Sequence, residues 1–350
     1  MKSKIVNFVL LFFIFFNVLL ILLFLYFMSP VGDDKDVSFI IDEGSSLSVI
    51  SKKLENEGLV KNGKFFFIYS ILTGNRNIYA AKYELNSSMK VSEISSVLKS
   101  GGVNPNEVTV TFKEGLNMRQ IAKVISSNTN IGYDEVINKS NDAIYIDSLI
   151  KKYWFITKDV KNSNIYYKLE GYLFPDSYNF DKNVTCEEIF NELIAHMDKK
   201  LSPYKKDIEK SGYSVHQILT MASILELEGV DESSRRDIAG VFYNRLNKKM
   251  NLGSDVTSYY GVKKAMTVDI FESELNDSNP YNTRIGTSRL PVGPIDNPSL
   301  VSIKAALNPS KHDYYYFVAD KNGKVYLTKD YETHNEVVAD LKNKGLWFEW

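Results

Sequence analysis

The sequence contains a single cysteine, Cys186, so no second cysteine is present to form an intrachain disulfide. The histidines lack the H-x-x-x-H and H-E-x-x-H spacings of zinc sites and occur at four scattered positions, His196, His216, His312 and His334. Neither G-x-x-x-x-G-K-[ST] nor G-x-G-x-x-G occurs, so no nucleotide-binding motif is present. We therefore expect neither a metal nor a cofactor.

An excess of charge of one sign is also missing. The 350 residues include 42 Lys and Arg against 43 Asp and Glu. Nucleic-acid-binding proteins usually carry a basic excess, so we expect no nucleic-acid partner. The length allows two domains, and the aromatic content of 13% suits a packed core.

The N-terminus has a long uncharged run, "IVNFVLLFFIFFNVLLILLFLYFM", from Ile5 to Met28. As a helix it reaches about 36 Å, enough to cross a hydrocarbon core of about 30 Å. Lys2 and Lys4 precede it, so the positive-inside rule predicts a cytoplasmic N-terminus and an extracytoplasmic remainder. The alternative is a cleaved signal peptide, but "FMSPVGDD" offers no A-x-A-like site. We interpret residues 1–30 as a cytoplasmic tip and a single-pass anchor in the cell membrane.

Two segments after the anchor align without gaps. "VSFIIDEGSSLSVISKKL" begins at Val37, and "VTVTFKEGLNMRQIAKVI" begins at Val108. Each reads as a short strand, an E-G turn and a helix with apolar spacing of three and four. A looser third copy spans 83–98. Units of this size resemble LysM modules, which bind glycan chains, and two unrelated strand–helix units are the alternative.

These patterns predict an α+β fold. We expect a LysM-like module over 31–107, a second strand–helix unit with its connection over 108–165, and a larger α+β catalytic domain over 166–350. Within the last, "LEGYLFPDSYNF" (169–180) reads equally well as a packed loop or as the wall of a carbohydrate groove. A helix is predicted from Cys186 to Lys200.

A second helix, predicted between Ser214 and Gly229, carries two glutamates in its last turn. Glu226 continues the apolar stripe through Ala222, whereas Glu228 is about 200° further around the axis. We therefore expect Glu226 to point inward and Glu228 to lie elsewhere beside the helix end. Burial and the helix dipole would both favour the protonated form of Glu226, as a general acid requires. The alternative is an ion pair with Arg235, Arg236 or Arg245.

A chain of motifs resembles the YceG-like family of endolytic murein transglycosylases. These are "ASILELEG…RRDIAGVFYNRLNKKMNLGSDVTSYYG", then "NPYNTRIGTSRLPVGPIDNPSLVSIKAALNPSKHDYYYFVADKNGKVYLTKDYETHN", preceded by "EGYLFPDSYNF" and the E-G turns. The likeness covers nearly the whole chain. It implies an anchored, outward-facing enzyme that cleaves peptidoglycan strands within their length, has a LysM-like module and cooperates with peptidoglycan synthases.

The resemblance also implies site residues. The family's A-S-I-x-E motif places its catalytic glutamate at Glu226. The remaining motif positions give substrate-contacting candidates, which are Glu228, Asp255, Thr257, Tyr281, Asn282, Thr283, Pro291, Gly293 and Tyr178. The family's Q-x-D-P-T appears as "LGSDVT", its Y-N-T-Y as "YNTR" and its L-P-P-G-P-I as "LPVGPI", which puts details of the groove wall in doubt.

One carboxylic acid is sufficient for a lytic transglycosylase. It protonates the oxygen between MurNAc and GlcNAc, and the muramic C6 hydroxyl attacks C1 to give 1,6-anhydroMurNAc. A hydrolase using Glu226 and Asp255 is one alternative, because most glycosidases use two carboxylates. A non-enzymatic glycan-binding scaffold is the other. Asp255 could instead belong to a turn, Asn282 could cap a loop, and His334 is interpreted as structural.

Overall fold

The computed structural model of the chain describes residues 2–32, 34–76, 78–102, 107–286 and 288–347, with side chains from Leu11 onward. It divides into two compact units, Met1–Glu107 and Val108–Trp350. Helices and strands are mixed in both, which confirms the α+β class. The finer division expected at 165/166 stays a prediction, although one hydrophobic core in the second unit contains side chains from both sides of it.

The first unit begins with a long apolar helix and continues as a small α+β module. Its elements are α1 (Lys2–Met28), β1 (Asp36–Ile41), α2 (Leu47–Asn56), α3 (Gly63–Leu72), β2 (Ala81–Asn86) and α4 (Val91–Ser100). Strands β1 and β2 pair antiparallel, with Phe39 opposite Tyr83. Both rings are buried, together with Leu54, Phe66 and Ile94 from the helices. Within α1, the stretch Leu11–Met28 is long and apolar enough to cross a membrane.

The second unit is mostly helical. Its elements are β3 (Glu107–Thr111), α5 (Met118–Asn128), α6 (Tyr133–Ser140), α7 (Ala143–Lys152), β4 (Ser177–Asp181), α8 (Cys186–Leu201), α9 (Lys205–Ser211), α10 (Val215–Glu228), α11 (Glu232–Asn247), α12 (Asp255–Gly261), α13 (Glu272–Leu275), α14 (Leu300–Leu307), β5 (Tyr316–Ala319), β6 (Val325–Thr328) and α15 (Tyr331–Asn343). Strands β3 and β4 form one two-stranded sheet, and β5 and β6 form another.

The repeat predicted from the sequence is present in the backbone. β1 and β3 each lead into an E-G turn, where Gly44 has φ 78° and Gly115 has φ 74°. This left-handed conformation favours glycine. Ser46 and Asn117 then cap α2 and α5 through side-chain hydrogen bonds. β2 and α4 supply the looser third copy without a glycine turn. The LysM-like identity of these units stays a prediction.

Helix α10 is the central helix of the second unit. Ser214 and Gln217 form a capping box at its start, as the sequence indicates, and its apolar side chains are buried. It packs against α11, α12 and α14. Gly229 ends it with φ −102°, in the extended rather than the left-handed region. Its role is close approach, because a Cβ there would lie 2.3 Å from Cγ of Arg235.

The segment 169–180 is a packed loop rather than a groove wall over its first half. Tyr172 and Leu173 are fully buried. Gly171 has φ 84°, and a Cβ on it would lie 2.4 Å from Cβ of Pro294. The loop therefore holds the proline-rich segment 291–298 against the core.

Candidate functional site

The two glutamates at the end of α10 have different surroundings. The Glu226 residue is 8% exposed. One of its carboxylate oxygens accepts a hydrogen bond from Arg235 Nη2 at 2.8 Å. The other accepts from the Ser299 backbone N–H at 2.9 Å and from the Ser299 hydroxyl at 2.6 Å. The arginine ion pair, which the sequence left as the alternative for Glu226, is therefore present.

Two further carboxyl groups lie close to Glu226. Asp296 is 1% exposed, and neither of its carboxyl oxygens has a hydrogen-bond partner among the described residues. Burial raises the pKa of Asp296 well above its usual value, and the charge of Glu226 adds to this. Burial and Glu226 also raise the pKa of Glu114, in the E-G turn. A Cβ on Gly115 would lie 3.6 Å from Glu226 Cγ. Glu226 thus lies in a packed junction.

Glu228 lies beside the first turn of α12 and keeps partial exposure. Its carboxyl group accepts a hydrogen bond of 2.6 Å from the Ser254 hydroxyl. Burial raises the pKa of Glu228 to about 7; Asp255 also raises it, while Ser254 and Arg245 lower it. The expectation that Glu228 lies beside the helix end and is replaceable stays a prediction.

Several of the predicted residues meet around the start of α12. Ser254 precedes the helix, and its N–H donates to Thr283 Oγ1 at 3.1 Å. The hydroxyls of Thr257 and Thr283 lie 2.9 Å apart. Asp255 forms an ion pair with Arg284. The structure thus brings Asp255, Thr257 and Thr283 to the side of α10 that carries Glu228.

Arg245 of α11 braces the same region. It donates to the carbonyl of Leu252 and, at 2.6 Å, to the carbonyl of Tyr315. Its guanidinium lies 5.2 Å from the ring centroid of Tyr316, and the His334 ring lies 5.6 Å from the same ring. Burial, followed by the charge of Arg245, lowers the pKa of His334. His334 therefore packs beside Tyr316 and Arg245, which is consistent with a structural role.

Two predicted residues serve the packing of the loop before the proline-rich segment. Tyr281 is fully buried and accepts a hydrogen bond from the Tyr166 backbone N–H at 3.2 Å. The Asn282 amide donates to the carbonyls of Leu275 and Asp277 at 2.8 and 2.7 Å. This is the loop-capping alternative for Asn282.

The other predicted residues lie in different places. Pro291 lines a cavity of about 940 Å³ at the opposite end of α10, together with Lys158, Gln217 and Arg289. Gly293 lies behind this cavity, where a Cβ would be 3.2 Å from the His216 ring. Tyr178 lines a separate depression and donates its hydroxyl to the carbonyl of Phe174 at 2.7 Å. None of these three lies beside Glu228 at the start of α12.

The sequence did not single out Glu170, a buried carboxyl group under the site. It accepts hydrogen bonds from the Met118 N–H, the Tyr260 hydroxyl and the Asn297 amide at 2.9, 2.8 and 3.1 Å. Burial raises its pKa to about 7. Its position in the "EGYLFPDSYNF" motif was the available signal. Ser254 and Arg284 were also missed as individual residues, although they lie within quoted motifs.

Comparison with known proteins adds an independent finding. The YceG-like family matches residues 39–340. A relative from Bacillus subtilis (strain 168), named endolytic murein transglycosylase, is 38% identical over 314 residues, 88% of this chain and 86% of that protein. One from Streptococcus pneumoniae (strain D39), with the same name, is 36% identical over 328 residues, 89% of this chain. This chain spans 59% of that protein's length.

A solved structure agrees. The crystal structure of a yceG-like protein from Listeria monocytogenes is similar to this chain with a TM-score of 0.63 and 35% identity. The similarity covers 87% of this chain and all of that one. With the motifs, the fold and the sequence similarity in agreement, the chain belongs to the YceG-like family.

Proposed function

We propose that this chain is a membrane-anchored lytic transglycosylase that cleaves the MurNAc–GlcNAc bond within peptidoglycan strands and leaves 1,6-anhydroMurNAc ends. Membership of the YceG-like family and the shared name of the relatives support the reaction class. The observation that carries the mechanism is the place of the Glu228 carboxyl group, which is partly exposed at the end of α10 and accepts a hydrogen bond of 2.6 Å from the Ser254 hydroxyl. Burial, together with the charge of Asp255, raises its pKa to about 7.

In the proposed reaction, the Glu228 carboxylic acid gives its proton to the glycosidic oxygen, and GlcNAc departs as the new 4-hydroxyl end. The C6 oxygen of MurNAc forms a bond to C1 of the same ring. The Glu228 carboxylate takes the C6 hydroxyl proton and returns to the acid. No water is consumed, and the internal nucleophile has the advantage of an intramolecular reaction.

Glu228 suits this step better than Glu226. A general acid must hold a proton at the working pH and must reach the substrate. Glu226 forms an ion pair with Arg235 and accepts three hydrogen bonds, one from Arg235 and two from Ser299. Among the residues that the structure describes, Glu228 has one hydrogen-bond donor, Ser254, and it keeps partial exposure. The resemblance-based assignment of the acid to Glu226 stays a prediction, which the experiment below separates from Glu228.

The groups around Glu228 match the charge that develops in the reaction. Cleavage passes through an oxocarbenium-like state, which a nearby carboxylate stabilises. Asp255 is close enough to affect the pKa of Glu228, and 57% of its side chain is exposed. We assign it to stabilising that positive charge. The same proximity favours a second candidate function, a hydrolase in which Asp255 activates water.

The proposed location follows from α1. With Lys2 and Lys4 on the cytoplasmic side, everything after Met28 is extracytoplasmic, where peptidoglycan is found. The LysM-like units are proposed to hold the glycan strand, and peptidoglycan synthases are proposed as partners that supply it. The apolar stretch Leu11–Met28 supports the anchor.

Mass spectrometry of glycan fragments tests the reaction. The purified full chain in detergent is given uncrosslinked glycan strands. We expect internal cleavage and anhydro ends from the wild type and from Glu226→Gln at a comparable rate, and almost none from Glu228→Gln. Reducing MurNAc ends would establish hydrolysis instead. Loss in Glu226→Gln alone would return the acid to Glu226, and no cleavage by the wild type would leave the scaffold alternative.

A further inference from the structure

Helix α3 is apolar on nearly every side. Its sequence is GKFFFIYSIL, in which seven of ten residues are aromatic or aliphatic. Ten residues are too few to cross a bilayer, which takes about 20. A short helix that is apolar all round is usually buried in a core. The core of this unit, however, covers only part of α3.

The uncovered part of α3 forms one stripe. Phe66 and Ser70 face the core and are fully buried. Phe65, Ile68 and Leu72 follow the i, i+3, i+7 spacing and therefore lie on a common face. Ile68 is 55% exposed and Leu72 is 80% exposed. Two large aliphatic side chains exposed on one helix face indicate a surface that something covers.

The same stripe begins at the membrane helix. The Phe65 ring lies 5.8 Å from the ring of Phe24 and 5.3 Å from that of Phe27. Lys61 donates a hydrogen bond of 2.7 Å to the Ser29 hydroxyl just beyond α1. Met28 packs against the core of the module. The end of the apolar helix therefore packs directly against the module.

These contacts fix the position of one end of the stripe relative to α1. Phe24 and Phe27 belong to the last turns of the apolar stretch Leu11–Met28. Phe65 is therefore level with the point where that stretch ends. Leu72 is seven residues further along α3, about 10 Å at 1.5 Å per residue. Lys64, beside the stripe, is exposed and carries the charge that phosphate head groups attract.

We propose that α3 lies in the outer interface of the bilayer and inserts the stripe of Phe65, Ile68 and Leu72 at the boundary between head groups and acyl chains. The occupant of the surface is lipid, because the stripe is continuous with the helix that enters lipid. Helices of this kind bury an apolar face about 5–10 Å deep. The proposal rests on the proposed membrane anchoring, and it holds the first unit against the membrane surface.

Quenching of site-specific fluorophores tests the proposal. Because Cys186 is the only cysteine, a Cys186→Ala chain can carry single cysteines at Leu72, at Leu20 within α1, or at Ile144, which is 84% exposed in the second unit. Each labelled full chain is reconstituted in phosphatidylglycerol and phosphatidylethanolamine vesicles. Iodide is present on both sides, and parallel vesicles contain spin-labelled lipid.

We expect the Leu72 label to be quenched by spin-labelled lipid and to show a several-fold lower iodide quenching constant than the Ile144 label. If the Leu20 label is quenched by lipid but the Leu72 label is as open to iodide as Ile144, the inference fails and the anchor stands. If Leu20 is itself open to iodide, both fail. A Leu72 label shielded from iodide without lipid quenching would mean that protein covers the stripe, which also overturns the proposal.

Discussion

Glu226 and Glu228 are two residues apart on one helix, yet their carboxyl groups lie on different sides of α10 and contact different hydrogen-bond donors. On one side, Arg235 and Ser299 supply three donors to Glu226. On the other side, the Ser254 hydroxyl donates a hydrogen bond to Glu228, and burial raises the pKa of Glu228 to about 7. Hydrogen-bond donors stabilise a buried carboxylate, whereas desolvation favours the protonated acid, so the balance of the two decides whether a buried carboxyl group keeps a transferable proton.

The largest expected effect is the loss of activity when the proposed acid, Glu228, is replaced. Glu228→Gln keeps the size and the hydrogen bond with Ser254 but removes the proton that can be transferred. Because general acid–base catalysis typically contributes about 10²–10⁴-fold, anhydro-product formation should fall by that factor. The rate of product formation is measured by chromatography with mass detection.

The matched control is Glu226→Gln. Its amide would place an N–H group opposite Arg235 or Ser299, so we expect a lower melting temperature and an activity within about tenfold of wild type at a temperature where the variant is folded. Equal activity losses in both variants, with both folded, would contradict the distinction between the two sides.

The sequence specified much of the frame but not this distinction. The repeat, the Ser214 capping box and the extent of α10 follow from local patterns of capping and apolar spacing. Which glutamate is clamped depends on tertiary contacts. Gly229 lets α11 cross close to α10 and bring Arg235 to Glu226, and the segment before α12 brings Ser254 to Glu228. Apolar periodicity shows that Glu226 points inward but cannot show which charged side chain meets it there.

The second prediction concerns the ion pair between Arg235 and Glu226. Arg235→Met removes the cation and leaves Glu226 buried near Asp296. Removing one partner of a buried ion pair typically costs about 3–5 kcal/mol, so we expect the free energy of unfolding to fall by this amount. Urea denaturation followed by circular dichroism measures it.

Arg236→Met is the control for that change, because Arg236 is the next residue and donates its exposed Nε–H to the carbonyl of Asn308. We expect a loss below about 1.5 kcal/mol there. A small loss in both variants would show that Arg235 does not clamp Glu226 in solution.

The third prediction extends the comparison to Glu170, which has several donors and a pKa still raised to about 7 from 4.5. The folded state binds this proton more tightly than the unfolded state. Its contribution is therefore fully present below pH 4.5 and is lost as the pH rises through about 7. The shift corresponds to a loss on the order of 3 kcal/mol. Burial raises the pKa values of Glu228 and Asp296 in the same direction.

We therefore expect the melting temperature to decrease from pH 5 to pH 8, measured by calorimetry at constant ionic strength. Glu170→Gln should be less stable than wild type at pH 5, because its amide faces three donors, but its decrease with pH should be shallower. Parallel slopes in the two proteins would exclude Glu170 as a source of the pH dependence.

The smallest expected effect concerns the hydrogen bond that the Ser254 hydroxyl donates to Glu228. The Ser254 hydroxyl stabilises the Glu228 carboxylate and so lowers its pKa against the effect of burial. Ser254→Ala removes about 0.5–1.5 kcal/mol of that stabilisation, which corresponds to a rise of roughly 0.4–1 pKa unit. Because the proposed acid must be protonated, activity falls as the pH passes the pKa of Glu228. The alkaline limb of the activity profile should thus move to higher pH in Ser254→Ala, with less than about a tenfold change at its maximum.

Ser258→Ala is the matched control, since Ser258 is buried one turn along α12 and its hydroxyl has no partner among the described residues. It should leave the limb in place. An unmoved limb in Ser254→Ala would mean that a group other than Glu228 sets the alkaline limit, even if Glu228→Gln is inactive.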